Sequence, residues 1–67
     1  MKLTINGDIT ENIRAGTVRE LLEELKVEPN RVAVEVNLTV VRRADYGQFR
    51  LNEGDVVEIV NFVGGGS

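Results

Sequence analysis

The chain has 67 residues, 42% of them hydrophobic and 28% charged, a composition that predicts one folded domain of modest core. It contains no Cys, His or Trp, which excludes disulfide scaffolds, thiol catalysis, Cys/His zinc sites and a Ser-His-Asp triad. Eight Lys and Arg against eleven Asp and Glu give a formal charge of −3, so nothing electrostatic favours nucleic acid or an anionic membrane as a partner.

Leu3 and Ile5 alternate with Lys2, Thr4 and Asn6, the period of a half-buried strand. Asn6-Gly7 follows, a pair that tolerates positive φ at both positions and so predicts a tight hairpin. The returning strand is expected over residues 9–13, with Ile9, Glu11 and Ile13 on one face. Thr17 with Glu20 three residues later is a capping-box signature for a helix start. Val18, Leu21, Leu22 and Leu25 then form one apolar stripe, predicting a helix over residues 18–26 that Pro29 cannot extend.

Residues 31–36 alternate again, placing Val32, Val34 and Val36 on one face, and Thr39-Val40-Val41 supports a further short strand. Residues 44–51 lack a clean period and read as a turn or short helical bend anchored by Tyr46, Phe49 and Leu51. A turn cluster at residues 52–55 leads into a last strand over residues 56–62. No apolar run approaches the ~20 residues that span a bilayer, and no leader pattern follows Met1, so a cytoplasmic location is expected.

Strand, strand, helix, strand, short strand, strand predicts an α+β fold: a mixed sheet of about five strands with one main helix across one face. Placing the first and last strands side by side at the sheet centre gives the β-grasp architecture of ubiquitin-like proteins. The domain is expected to cover residues 1–63, followed by a flexible glycine-rich tail at residues 64–67.

Carboxylates offer little chemistry. Glu23 and Glu24 are consecutive on a solvated helix face and do not converge; Glu53 and Asp55 flank Gly54 in a turn, where polar residues belong. No metal site and no catalytic residue is expected. Arg42 and Arg43 are the one adjacent basic pair, suited to the rim of an acidic partner's contact.

The C-terminus carries more meaning. Three glycines directly after an apolar strand offer no side chain to pack and lose much entropy on ordering. A tether of Gly64 and Gly65 fits a narrow channel in another protein and delivers an unhindered carboxylate. If Val57 and Ile59 enter the core, parity sends Val56, Glu58, Val60 and Phe62 to the opposite sheet face, where Val60 and Phe62 with Ala33 are expected to form an exposed apolar patch beside the tail.

The whole length resembles the thiamine-pathway sulfur carriers, the ThiS family. The resemblance runs through Ile5-Asn6-Gly7, Ala15-Gly16-Thr17-Val18 with Glu20-Leu21-Leu22, Val34 to Asn37, and Val41-Arg42-Arg43 with Tyr46. It continues in Leu51-Asn52-Glu53-Gly54-Asp55 and is most specific in Glu58-Ile59-Val60-Asn61-Phe62-Val63-Gly64-Gly65-Gly66.

What the resemblance implies is a protein cosubstrate rather than an enzyme. An adenylating enzyme similar to ubiquitin-activating enzymes, using ATP and Mg that this chain does not itself bind, would activate the terminal glycine carboxylate. A sulfur delivered by a cysteine desulfurase route would convert it to a thiocarboxylate, which thiazole synthase would consume. Gly66 would carry the sulfur after loss of Ser67, while Val60, Phe62, Glu58 and Arg42 would form the docking face.

Family members end on glycine, whereas Ser67 follows Gly66 here. Ser67 is trimmed before activation, is foreign to the natural chain, or blocks activation of this form. Carriers for molybdopterin or another sulfur-containing metabolite, and a noncovalent β-grasp interaction module, are the alternative readings.

Overall fold

The computed structural model describes residues 1–62. Strands β1 (Leu3–Ile5), β2 (Asp8–Thr10), β3 (Val32–Val36), β4 (Thr39–Val41) and β5 (Val56–Asn61) form one mixed sheet in the order β2-β1-β5-β3-β4. Helix α1 spans Val18–Glu24, and short 3-10 turns occupy Pro29–Arg31 and Arg43–Asp45. The first and last strands are neighbours, as expected, and run parallel, Thr4 beside Val56 and Ile5 beside Val57. The expected architecture, β-grasp with one helix across the sheet, is the one observed.

The β1–β2 hairpin turns on Asn6 (φ 50) and Gly7 (φ 87), both left-handed as the pair predicted. The returning strand is shorter than expected and ends at Thr10. Asn12 takes φ 65, which breaks the alternation and resets which side the following residue faces. Ile13 therefore enters the core at 5% exposure while Ile9 stays 68% exposed, so the two do not share a face.

Helix α1 starts as its sequence dictates. Thr17 is extended and its hydroxyl accepts the Glu20 backbone N–H at 3.2 Å. The Glu20 carboxylate reaches back to the Gly16 N–H at 2.8 Å, one residue upstream of the usual capping box. Val18, Leu21 and Leu22 are fully buried, and Leu25 packs on the edge of the same core.

The helix stops two residues before the expected end because Lys26 adopts φ 60. Its N–H donates to Glu23 O (3.0 Å) and the Val27 N–H to Leu22 O (2.8 Å), the two bonds of a Schellman ending. Glycine is the usual occupant of that left-handed position, where a side chain costs about 1–2 kcal/mol. Lys26→Gly is expected to stabilise the domain by about 0.5–1 kcal/mol after glycine's entropy cost, a rise of roughly 2–8 °C in thermal midpoint. A lower midpoint by circular dichroism would show that the Lys26 stem packs more than it strains.

Val32, Val34 and Val36 of β3 and Val57 of β5 join Leu3, Leu21 and Leu22 in a single core. Tyr46 and Leu51 close one end of it, with Phe49 partly buried alongside. The Tyr46 hydroxyl donates to Val32 O at 3.1 Å. Burial raises the pKa of this phenol, with Arg43 pulling weakly the other way. The folded state thus resists ionisation, and its contribution to stability is lost only as pH climbs beyond the ordinary value of 10.0.

Candidate functional site

The central strand β5 has two unlike faces. Val57 is fully buried and Ile59 partly so, whereas Val56 is 42%, Val60 59% and Phe62 53% exposed. The expected division of this strand therefore holds. The Phe62 N–H donates to Arg31 O at 2.8 Å, which carries the pairing with β3 one residue beyond β5. Ala33 lies opposite Val60, so the apolar surface continues across both strands.

This surface is wider than β5 alone. Ile9 of β2 sits beside Thr4, which sits beside Val56; Val40 of β4 sits opposite Glu35 of β3. Strand alternation puts all of these on the side away from α1. Of the six large apolar side chains exposed among the described residues, five lie on this face, and the sixth, Leu38, tips the adjacent β3–β4 hairpin. The parity of β5 was readable alone, but Ile9 and Val40 join the patch only through register.

Two turn asparagines, whose role on β5 the sequence reading did not foresee, hold that strand in place. The Asn6 side chain accepts the Ile59 N–H at 2.7 Å and donates to Ile59 O at 3.1 Å, acting as one extra rung where β1 turns away. On the other side Asn37 accepts the Val56 N–H through Oδ1 at 2.9 Å, while its own N–H donates to Val56 O at 2.7 Å. Both residues have positive φ at hairpin turns, the signal that could have marked them.

Most other candidate side chains are engaged structurally. Glu24 is not the idle surface carboxylate its helix position suggested: it accepts the Ala15 N–H at 2.9 Å and the Arg14 N–H at 3.1 Å, tying the incoming loop to the helix. Glu23 pairs with Arg19 at 3.7 Å. Glu53 accepts the Lys2 N–H, and Asp55 accepts from Asn52 N and Asn37 Nδ2, so the carboxylates of this turn tie it to the residue before β1 and to the β3–β4 hairpin. Arg42 follows β4, level with Ala33 and Val60 at the margin of the patch, its Nε 3.5 Å from Asp45.

Glu58 lies at the centre of the patch, half-buried and directly opposite Glu35. Gly64, Gly65, Gly66 and Ser67 lie outside the described residues, as does Val63. Among the described residues no cluster of three or more His, Cys, Asp or Glu is placed to hold a metal, and no helix is long and apolar enough to cross a membrane.

Comparison with known proteins gives a consistent answer. The model of the ThiS family matches residues 3–66. The sulfur carrier protein ThiS of Bacillus subtilis is 38% identical over 65 residues, which cover 96% of this chain and 98% of that protein. A thiazole synthase of Paramagnetospirillum magneticum is 49% identical over 67 residues, all of this chain but 21% of that protein. A second, from Magnetococcus marinus, is 48% identical, and the match spans 20% of its length. The crystal structure of the thiamine biosynthesis protein ThiS from Geobacter metallireducens superposes with a TM-score of 0.83 at 39% identity, covering 98% of this chain and all of that one.

Proposed function

The chain belongs to the ThiS family, and from that premise we propose that it is a sulfur carrier in thiamine biosynthesis, with sulfur borne on its own C-terminal carboxyl carbon. The observation that carries the reading is the family match through residue 66, which takes in the glycine run as well as the folded body. Gly66 is the residue proposed to become the thiocarboxylate once Ser67 is absent, with Gly64 and Gly65 as the slender lead into a partner's channel.

The chemistry explains why a domain without a catalytic side chain suffices. A carboxylate resists nucleophilic attack at neutral pH. An adenylating partner, with its own ATP and Mg, would join the Gly66 carboxylate oxygen to the α-phosphorus and release pyrophosphate. A persulfide supplied through a cysteine desulfurase would then attack the acyl carbon and expel AMP. A thiol would cleave the resulting acyl disulfide, leaving the thiocarboxylate for thiazole synthase. The carrier is a protein cosubstrate in this scheme: it contributes a recognisable surface and a chain end, while charge on the phosphate is stabilised by the partner.

Names of the relatives favour thiazole as the acceptor over molybdopterin. In a host lacking its own thiazole carrier, this chain ending at Gly66 is expected to restore growth without thiamine. Rescue of a molybdopterin-carrier deletion instead, with no thiamine rescue, would reassign the acceptor and leave the carrier chemistry standing.

A further inference from the structure

The Asn6-Gly7 turn also completes the central ladder of the sheet. Between β1 and β5 the Thr4 N–H donates to Asp55 O at 3.0 Å and the Asn6 N–H to Val57 O at 2.9 Å. The next rung falls to Ile59, where the backbone has already left β5 for the hairpin. The Asn6 carboxamide makes that rung, accepting the Ile59 N–H at 2.7 Å and donating to Ile59 O at 3.1 Å.

This same carboxamide is the one most open to attack from its own backbone. Of the six asparagines in the chain, only Asn6 precedes a glycine, and only glycine presents a backbone nitrogen with no Cβ beside it. Asn6 and Gly7 are both exposed, and nothing lies within 4 Å of where a Cβ on Gly7 would stand. Water reaches the turn freely, so what restrains the carboxamide is its pair of bonds to Ile59.

We propose that Asn6 is a site of spontaneous deamidation, gated by the opening of its two bonds to Ile59. In the opened turn the Gly7 nitrogen attacks Asn6 Cγ and loses its proton, while the side-chain nitrogen leaves as ammonia and a cyclic imide forms. Water then adds to either imide carbonyl and breaks its bond to nitrogen, giving aspartate or isoaspartate at position 6. The net exchange is one water taken up for one ammonia released, with no other reactant. The product cannot rebuild the rung: a carboxylate still accepts the Ile59 N–H but has no hydrogen to give Ile59 O. Isoaspartate also lengthens the backbone of a turn whose two left-handed residues fit a tight hairpin. Deamidation therefore loosens β5, the strand that precedes the glycine run, whatever that run carries.

The test follows all six asparagines of the full chain by peptide mapping with isoaspartate detection, at neutral pH, folded and in guanidinium chloride. Asn6 should convert first in both states. In the folded chain its conversion should be about 5- to 150-fold slower, the ratio set by opening two hydrogen bonds of ordinary net strength. Equal rates would show that the rung is no gate, and a larger ratio would show that a wider unfolding is the gate; either overturns the proposal. Earlier conversion of another asparagine would overturn the site itself. The Asn6→Asp variant, which carries one of the two products, should melt roughly 4–8 °C lower, as the loss of one hydrogen bond from a domain of this size predicts. An unchanged midpoint would overturn the consequence drawn for β5.

Discussion

A chain shortened to end at Gly64 is expected to fold as the native one does and to receive no sulfur. The core closes with Val57, and the partly buried Ile59 is the last residue packed against it. Removing residues 65–67 therefore takes away no described packing or hydrogen bond, and stability should change by no more than about 0.5 kcal/mol. Transfer should fall below detection, because the carboxylate left behind ends two residues short of where the partner's adenylating centre would receive it. A misplacement of even ~1 Å costs roughly a hundredfold in rate, and two residues displace the carboxylate by about 7 Å. Sulfur acquisition by the shortened chain at the native rate would place the carrier chemistry elsewhere on the molecule.

Leu21→Ala is expected to produce a loss of stability among the largest of any single substitution. Leu21 is fully buried at the centre of α1 and belongs to the core shared with Leu3, Val34 and Val57. A leucine-to-alanine change at such a site costs about 2–5 kcal/mol. A domain of this length holds only about 3–10 kcal/mol in total, so the variant should melt roughly 10–30 °C lower and in the worst case be unfolded at 37 °C. A midpoint within about 3 °C of the native one, measured by circular dichroism, would show that the helix–sheet packing is not what holds the domain together.

How legible these features were depended on whether their cause was local. The helix could be read because Thr17, Glu20 and the stripe from Val18 to Leu25 each act over a few residues. The Asn6-Gly7 hairpin and the two faces of β5 were legible for the same reason. The left-handed residues at Asn12 and Lys26 were not: each carries a side chain where glycine would announce the conformation, and each shortened an element relative to its apolar pattern.

Features set by register were hidden more deeply. Glu35 reads as the polar half of an alternating strand, and Glu58 likewise; only the pairing of β3 with β5 brings them face to face. Glu24 belongs by helical position to the solvated side, but the path of the preceding loop delivers the Arg14 and Ala15 amides to its carboxylate. Asn6 and Asn37 were visible as turn residues, while their role as extra rungs on β5 needed the strands' placement. The tail stood out by composition, and the chemistry proposed for it rests on family membership rather than on any geometry in the folded body.

The most direct test of the carrier reading is the intact mass of the chain ending at Gly66 after incubation with ATP, the adenylating enzyme, a cysteine desulfurase charged with sulfur and a thiol. The mass should increase by one oxygen-to-sulfur exchange, on a C-terminal peptide containing Gly66, and only when ATP is present. An unchanged mass, in a reaction where a carrier of known activity is converted alongside, would contradict the account.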